Sequence, residues 1–230
     1  MMKKIIYISA FILAIATSAQ STITKKLGDY STLKVYNGIE VELIKSDEQK
    51  LEITGEKSED VKLKNVKGTL KISLPFSLKP EENAANDKIL VKIYYNTSIA
   101  IIDANEGSTI TGKDFNQDIV EVKAQERAFI NLTTIAKHIT VKSSSGGIIK
   151  LSGTAKNQVV DVDLYGVYHG FDMNVSRNST VDAGTGAKAE IFAGETLNAK
   201  VAFGGSIFYK GNPEVVKDKK IIGGIIKKRD

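Results

Sequence analysis

The chain has 230 residues, with 32 Lys and Arg against 27 Asp and Glu, 42% apolar residues and no cysteine. That length and apolar content support a sizeable buried core, while the absence of thiols excludes a disulfide framework, a thiolate zinc site, a catalytic cysteine and a lipid-bearing cysteine. The formal charge of +5 is a small excess held largely at the two ends, so no nucleic-acid interface is expected, since one interleaves basic residues with stacking aromatics.

Residues 1–19 read as a secretory signal peptide. Lys3 and Lys4 precede an apolar run from Ile5 to Ala16, and Thr17-Ser18-Ala19 follow, with cleavage expected after Ala19. The alternative is an N-terminal anchor, although the run falls short of the roughly 20 residues a span requires. Loss of Lys3 and Lys4 lowers the formal charge from +5 to +3. No later segment is long and apolar enough to cross a membrane. The expectation is export through the secretory pathway to the periplasm, the outer membrane surface or the extracellular space, with no membrane span in the mature chain.

Over residues 21–97 apolar and polar residues alternate in short runs: Leu33/Val35, Ile39/Val41/Leu43, Leu51/Ile53, Leu70/Ile72/Leu74 and Ile89/Val91/Ile93. Period two between Gly, Asn, Asp and Lys-rich breaks predicts strands with one buried face, and no amphipathic helix stands out. The stretch "LPFSLKPEENAAND" (74–87) carries two prolines and reads as a loop. This half is expected to supply irregular early coils whose N-terminal strands cap an open end, because the end of a solenoid is an exposed sheet edge.

From about residue 98 a longer period overlies the alternation. Ile102, Val122, Val141, Val162, Val181 and Val201 form one column, with apolar or small residues two places before and after it. A period near 20 residues predicts a right-handed parallel β-helix, or β-solenoid, in which no coil buries its inner face until neighbours stack on both sides. Gly107, Gly146, Gly166, Gly186 and Gly205 are expected at a shared corner, where a residue tolerant of φ > 0 lets the chain turn; Arg127 takes that place in one coil. The regular coils are expected to cover 98–213 of a domain spanning 20–213. The tail, 214–230, is expected to cap the far end, with Gly223-Gly224 as a turn.

The stretches "GDYSTLKVYNGIEVELIKSDEQKLEITGE" (28–56), "VKGTLKIS" (66–73), the repeated Gly-small-x-apolar corners and the closing "GGSIFYKGNP" (204–213) together resemble the putative auto-transporter adhesin, head GIN domain family of exported bacterial proteins. The likeness covers roughly residues 28–213 and departs from the family pattern at Arg127 and at "LYGVYHGF". It implies a β-solenoid, export and an adhesive or binding role, and it carries over no catalytic residues.

Chemistry calls for departures from the repeat, and the coil with Tyr165, Tyr168, His169 and Phe171 has the clearest. Aromatic faces with polar neighbours can grip sugar rings, which makes Tyr165, Tyr168, His169, Asp161 and Asp163 candidate ligand-binding residues for a glycan or another cell-envelope component. The other reading is that the tyrosines cover a corner, Phe171 fills an inner column, and His169 either joins the inward column of Ile110, Ile130 and Ile149 or turns outward. Asp163 is expected above Asp182 in an outward column with Asp103, Lys123 and Lys142. With Asp161, that pair either holds calcium or forms an ordinary charged ladder. His138 and His169, without thiols or nearby carboxylates, make a poor metal site. "GTGAK" (184–188) lacks the Lys-Ser/Thr ending of a phosphate cradle. The expectation is a non-enzymatic module without cofactor, against two alternatives: a polysaccharide lyase-like β-helix enzyme, and a self-associating envelope protein.

Overall fold

The structure is a computed structural model that describes residues 22–76 and 88–230. The expected signal peptide and most of the 74–87 loop lie outside the described residues. Seven strands make the N-terminal part: β1 (Ile23–Lys26), β2 (Thr32–Val35), β3 (Glu40–Lys45), β4 (Lys50–Thr54), β5 (Lys62–Val66), β6 (Thr69–Ser73) and β7 (Leu90–Tyr95). One 3₁₀ turn, Ser58–Asp60, lies between β4 and β5. The regular part runs through β8 (Ile101–Ala104), β9 (Thr109–Gly112), β10 (Ile119–Ala124), β11 (Phe129–Ser143), β12 (Ile148–Val162), β13 (Val167–Gly170) and β14 (Met173–Ala183). It continues through β15 (Lys188–Phe192), β16 (Thr196–Ala202), β17 (Ser206–Lys210), β18 (Val215–Ile221) and β19 (Ile225–Lys228).

Together these wind a β-solenoid of about seven turns. Each coil is a strand, a tight corner and a second strand, and like strands pair in parallel from coil to coil. The alternation seen in the sequence is the alternation of burial: β11 reads buried at every second residue until Lys137 and His138, where two exposed residues mark the opposite corner. One inward column runs Leu70, Leu33, Ile102, Val122, Val141, Val160, Val181, Ala199. All are at most 4% exposed, so neighbouring coils supply the burial that no single coil could provide for itself.

This register corrects the expected valine column at two places. Val160, not Val162, stacks on Val141, and Ala199, not Val201, stacks on Val181. Val162 and Val201 belong to the next inward column, with Ala124, Ser143 and Ala183. A slip of two residues leaves every side chain on its own face, so alternation alone cannot detect it.

The N-terminal part is threaded differently from the rest. β2 pairs with both β6 and β8, and β3 with both β7 and β9, all in parallel. The layer made by β2 and β3 therefore lies between the β6–β7 layer and the first regular coil, although β6 and β7 come later in the chain. β4 and β5 then pair antiparallel with β7 and β6, and β1 pairs antiparallel with β4, closing that end. At the far end, the tail expected as a cap continues the winding: β18 and β19 pair in parallel with β16 and β17 as a last coil.

Candidate functional site

The corners are two-residue turns closed by a hydrogen bond from the fourth residue to the first, as from the Gly147 N–H to the Ser144 carbonyl at 2.9 Å. The two central residues both have positive φ in Asn37-Gly38, Glu106-Gly107, Glu126-Arg127, Ser145-Gly146, Leu164-Tyr165, Phe203-Gly204 and Ile222-Gly223. That is the pattern of a type I′ turn, whose twist suits the strands on either side. The ladder does not stop at the corner: the Tyr165 N–H donates to the Thr185 carbonyl at 2.9 Å, and the Gly146 N–H to that of Leu164 at 3.1 Å.

The fourth residue is Ile39 in the first of these corners and small in every later one, for a separate reason. A Cβ at Gly166 would stand 2.2 Å from the Ser143 carbonyl oxygen, and one at Gly205 2.2 Å from that of Ala183. "Gly204-Gly205" thus combines two requirements, a positive φ of 81° at the first and close backbone approach at the second. The expected corner column took Gly166 and Gly205, one residue late; Tyr165 and Gly204 hold the turn positions equivalent to Gly146.

Tyr165 stands in that turn, 68% exposed, with its ring over Gly186, where a Cβ would meet Cε1 at 2.6 Å. Tyr168 does not share its surface. It stacks between Ile149 and Ala189 in the inward column and is fully buried. Its ring lies against Gly170, whose lack of a side chain makes the room, and its hydroxyl donates to Gln158 Oε1 at 3.4 Å. Burial pushes that hydroxyl's pKa well above the usual tyrosine range. Phe171 follows Gly170, which occupies the inner position beside Ile191 expected for Phe171.

His169 points outward, between Lys150 and Glu190. Its Nδ1 is 2.6 Å from Glu190 Oε2, and Lys188 Nζ is 2.5 Å from Glu190 Oε1. Partial burial raises the Glu190 pKa, but hydrogen bonds and charge from Lys188 and His169 outweigh it and hold the carboxyl below its ordinary range. On the other face the outward column reads Lys34, Asp103, Lys123, Lys142, Asp161, Asp182, Lys200. Asp161, not Asp163, is the neighbour of Asp182. Asp163 opens its corner, and its Oδ1 accepts the N–H groups of Leu164 at 2.8 Å and Thr185 at 2.7 Å. Asp182 pairs with Lys200 at 3.5 Å.

Asp161, Asp163, Asp182 and Lys200 do border one open depression of about 270 Å³. Among the described residues no three His, Asp or Glu side chains converge as metal ligands would. A second depression, of about 430 Å³, lies beside Gly112 and is bordered by Glu42, Lys45, Lys113 and Asn131. Also unforeseen are the exposed apolar corner residues Leu164, Phe203 and Ile222, whose signal is a bulky residue directly before a corner position.

The family model described as putative auto-transporter adhesin, head GIN domain, matches residues 29–213. Among curated proteins no sequence match is found. The fold is shared with crystal structures at low identity. A putative adhesin from Bacteroides fragilis NCTC 9343 is 19% identical with a TM-score of 0.80, over 93% of this chain and 98% of that one. A putative adhesin from Parabacteroides merdae ATCC 43184 is 18% identical with a TM-score of 0.67, over the same shares. A protein from Parabacteroides distasonis ATCC 8503 described as a putative lipid binding protein is 21% identical with a TM-score of 0.62, again over 93% and 98%.

Proposed function

The chain belongs to the putative auto-transporter adhesin, head GIN domain family, and from that premise we propose that it is an exported, non-enzymatic binding or adhesion module. Its ligand is a glycan or another component of the cell envelope, met by the rigid surface of the solenoid. The observation that carries this reading is how outward side chains are used: they pair with one another across coils. His169 with Glu190, Lys142 with Glu121, Asp182 with Lys200 and Asn178 with Asn157 form ladders that tie successive coils together and stiffen the surface they present. The lyase-like alternative looked to Asp163 and Lys142 for its chemistry. Asp163 binds its own corner and Lys142 is paired with Glu121 at 3.4 Å, so neither favours that alternative.

Of the candidate residues, Tyr165 and Asp161 are exposed to a ligand, His169 is half-exposed with its Nδ1 held by Glu190, and Tyr168 and Asp163 act within the fold. The test is binding of the processed chain to a glycan array and to cell-envelope fractions, with and without Tyr165→Ala and His169→Ala. Loss of binding by at least about fivefold is expected. Binding unchanged by both substitutions removes this coil from the site.

A further inference from the structure

The edge formed by the stacked corners changes character along the solenoid. Its first central position holds Asn37, Glu106, Glu126 and Ser145 in the earlier coils, then Leu164, Thr185, Phe203 and Ile222. Leu164, Tyr165, Phe203 and Ile222 are 49%, 68%, 58% and 72% exposed, with φ of 47°, 63°, 49° and 52°. Bulky and β-branched side chains disfavour that backbone region, and apolar ones disfavour water. Asn or Gly would fill the same turn without either penalty, so the turn itself does not call for Leu164, Phe203 or Ile222.

Coils stack at about 4.8 Å, which sets Phe203 about 10 Å and Ile222 about 14 Å from Leu164 along one line. The end of this ridge is basic. Lys219 and Lys220 come just before the Ile222 corner and Lys227 and Lys228 just after it, and none of the four is in an ion pair among the described residues.

We propose that this ridge is an interfacial membrane anchor: Leu164, Phe203 and Ile222 enter the boundary between headgroups and acyl chains of an anionic bilayer, and the flanking lysines meet the lipid phosphates. The inference rests on the binding-module reading and gives it a partner, at the corner edge. The lysines on the strands that flank the last corner favour an anionic surface as the partner. The residues also stand on turn tips, which suits entry into a soft surface better than enclosure of a small ligand.

The test compares the processed chain, residues 20–230, with a variant carrying Leu164→Asn, Phe203→Asn and Ile222→Asn. Asparagine accepts positive φ, so the variant should fold, and circular dichroism checks that it does. The probe is vesicles of phosphatidylcholine with about one third phosphatidylglycerol, set against phosphatidylcholine alone. Expected is binding of the parent chain to the anionic vesicles, weakened by salt, and reduced at least about tenfold in the variant. Because the chain has no tryptophan, a Phe203→Trp reporter should move its emission to shorter wavelength when anionic vesicles are added. Equal binding by the parent and the triple variant overturns the proposal, as does a parent dimer that the variant abolishes without vesicles. Absence of vesicle binding alongside retained binding to delipidated envelope glycan overturns the lipid anchor while the binding-module reading stands.

Discussion

Ile222 has φ of 52°, where a β-branched side chain crowds its own backbone at a cost of about 1–2 kcal/mol. Its replacement is expected to relieve that strain: Ile222→Asn should raise the unfolding free energy by about 1 kcal/mol in chemical denaturation, and a lower value would show the corner to be unstrained. The two tyrosines of "LYGVYHGF" should separate sharply. Tyr168→Ala empties an inward position between Ile149 and Ala189 and is expected to cost about 3–5 kcal/mol. Tyr168→Phe gives up only a long hydrogen bond, about 1 kcal/mol or less, and Tyr165→Ala should stay within about 0.5 kcal/mol of the parent. Thermal or urea unfolding of the three variants reads the order. The sequence offered these tyrosines as equals because a glycine can mark either a positive φ or a close backbone approach. Here the two needs fall on adjacent residues, and Tyr165 fills the first while Gly166 fills the second.

At the scale of strands, period-two alternation and a repeat near 20 residues were enough to read β8 to β17 as stacked coils. The steps along the true column are 19, 19, 21 and 18 residues, from Val122 through Val141, Val160 and Val181 to Ala199. One extra residue of the 21-residue step falls where β13 and β14 break around Phe171 and Asp172, and the other at the bulge opposite Ala155–Asn157. The short step arises in the link between β15 and β16, whereas the expected column slips at Val162 and Val201. Placing Asp163 above Asp182 is a slip of the same two residues; the carboxylate that stands beside Asp182 is Asp161. The ladder the register does make, His169–Glu190–Lys188, has a pH signature. Glu190 is held below its ordinary pKa in the folded chain, so its contribution is present above the unfolded-state value and is lost as pH falls through the folded one. Glu190→Gln is expected to cost about 0.5–1 kcal/mol at neutral pH. The gap should close as acidification protonates the folded-state carboxyl, as read by denaturation across the acid range; a gap that persists once the carboxyl is protonated would assign it to packing instead.

For the molecule as a whole, contacts run from each coil to the next, so stability is close to a sum of neighbouring interfaces. A chain ending at residue 213 should therefore stay folded, yet it uncovers the edges of β16 and β17 that β18 and β19 pair with. Sedimentation velocity is expected to show association that grows with concentration in the shortened chain; a strictly monomeric product would mean the last coil shields nothing. The solenoid was readable because repetition survives in the letters. The return of β6 and β7 to the outer side of β2 and β3 was not, since any of several alternating strands could satisfy the same edge. That detour sets the layer of β2 and β3 inside the stack, with a neighbour made from later sequence on each of its rims. It is complete before either neighbour as the chain emerges from its N-terminal end, so it is expected to be the seed from which winding spreads both ways. Damage there would strand both arms of the structure, whereas damage in the last coil would merely leave a shorter one.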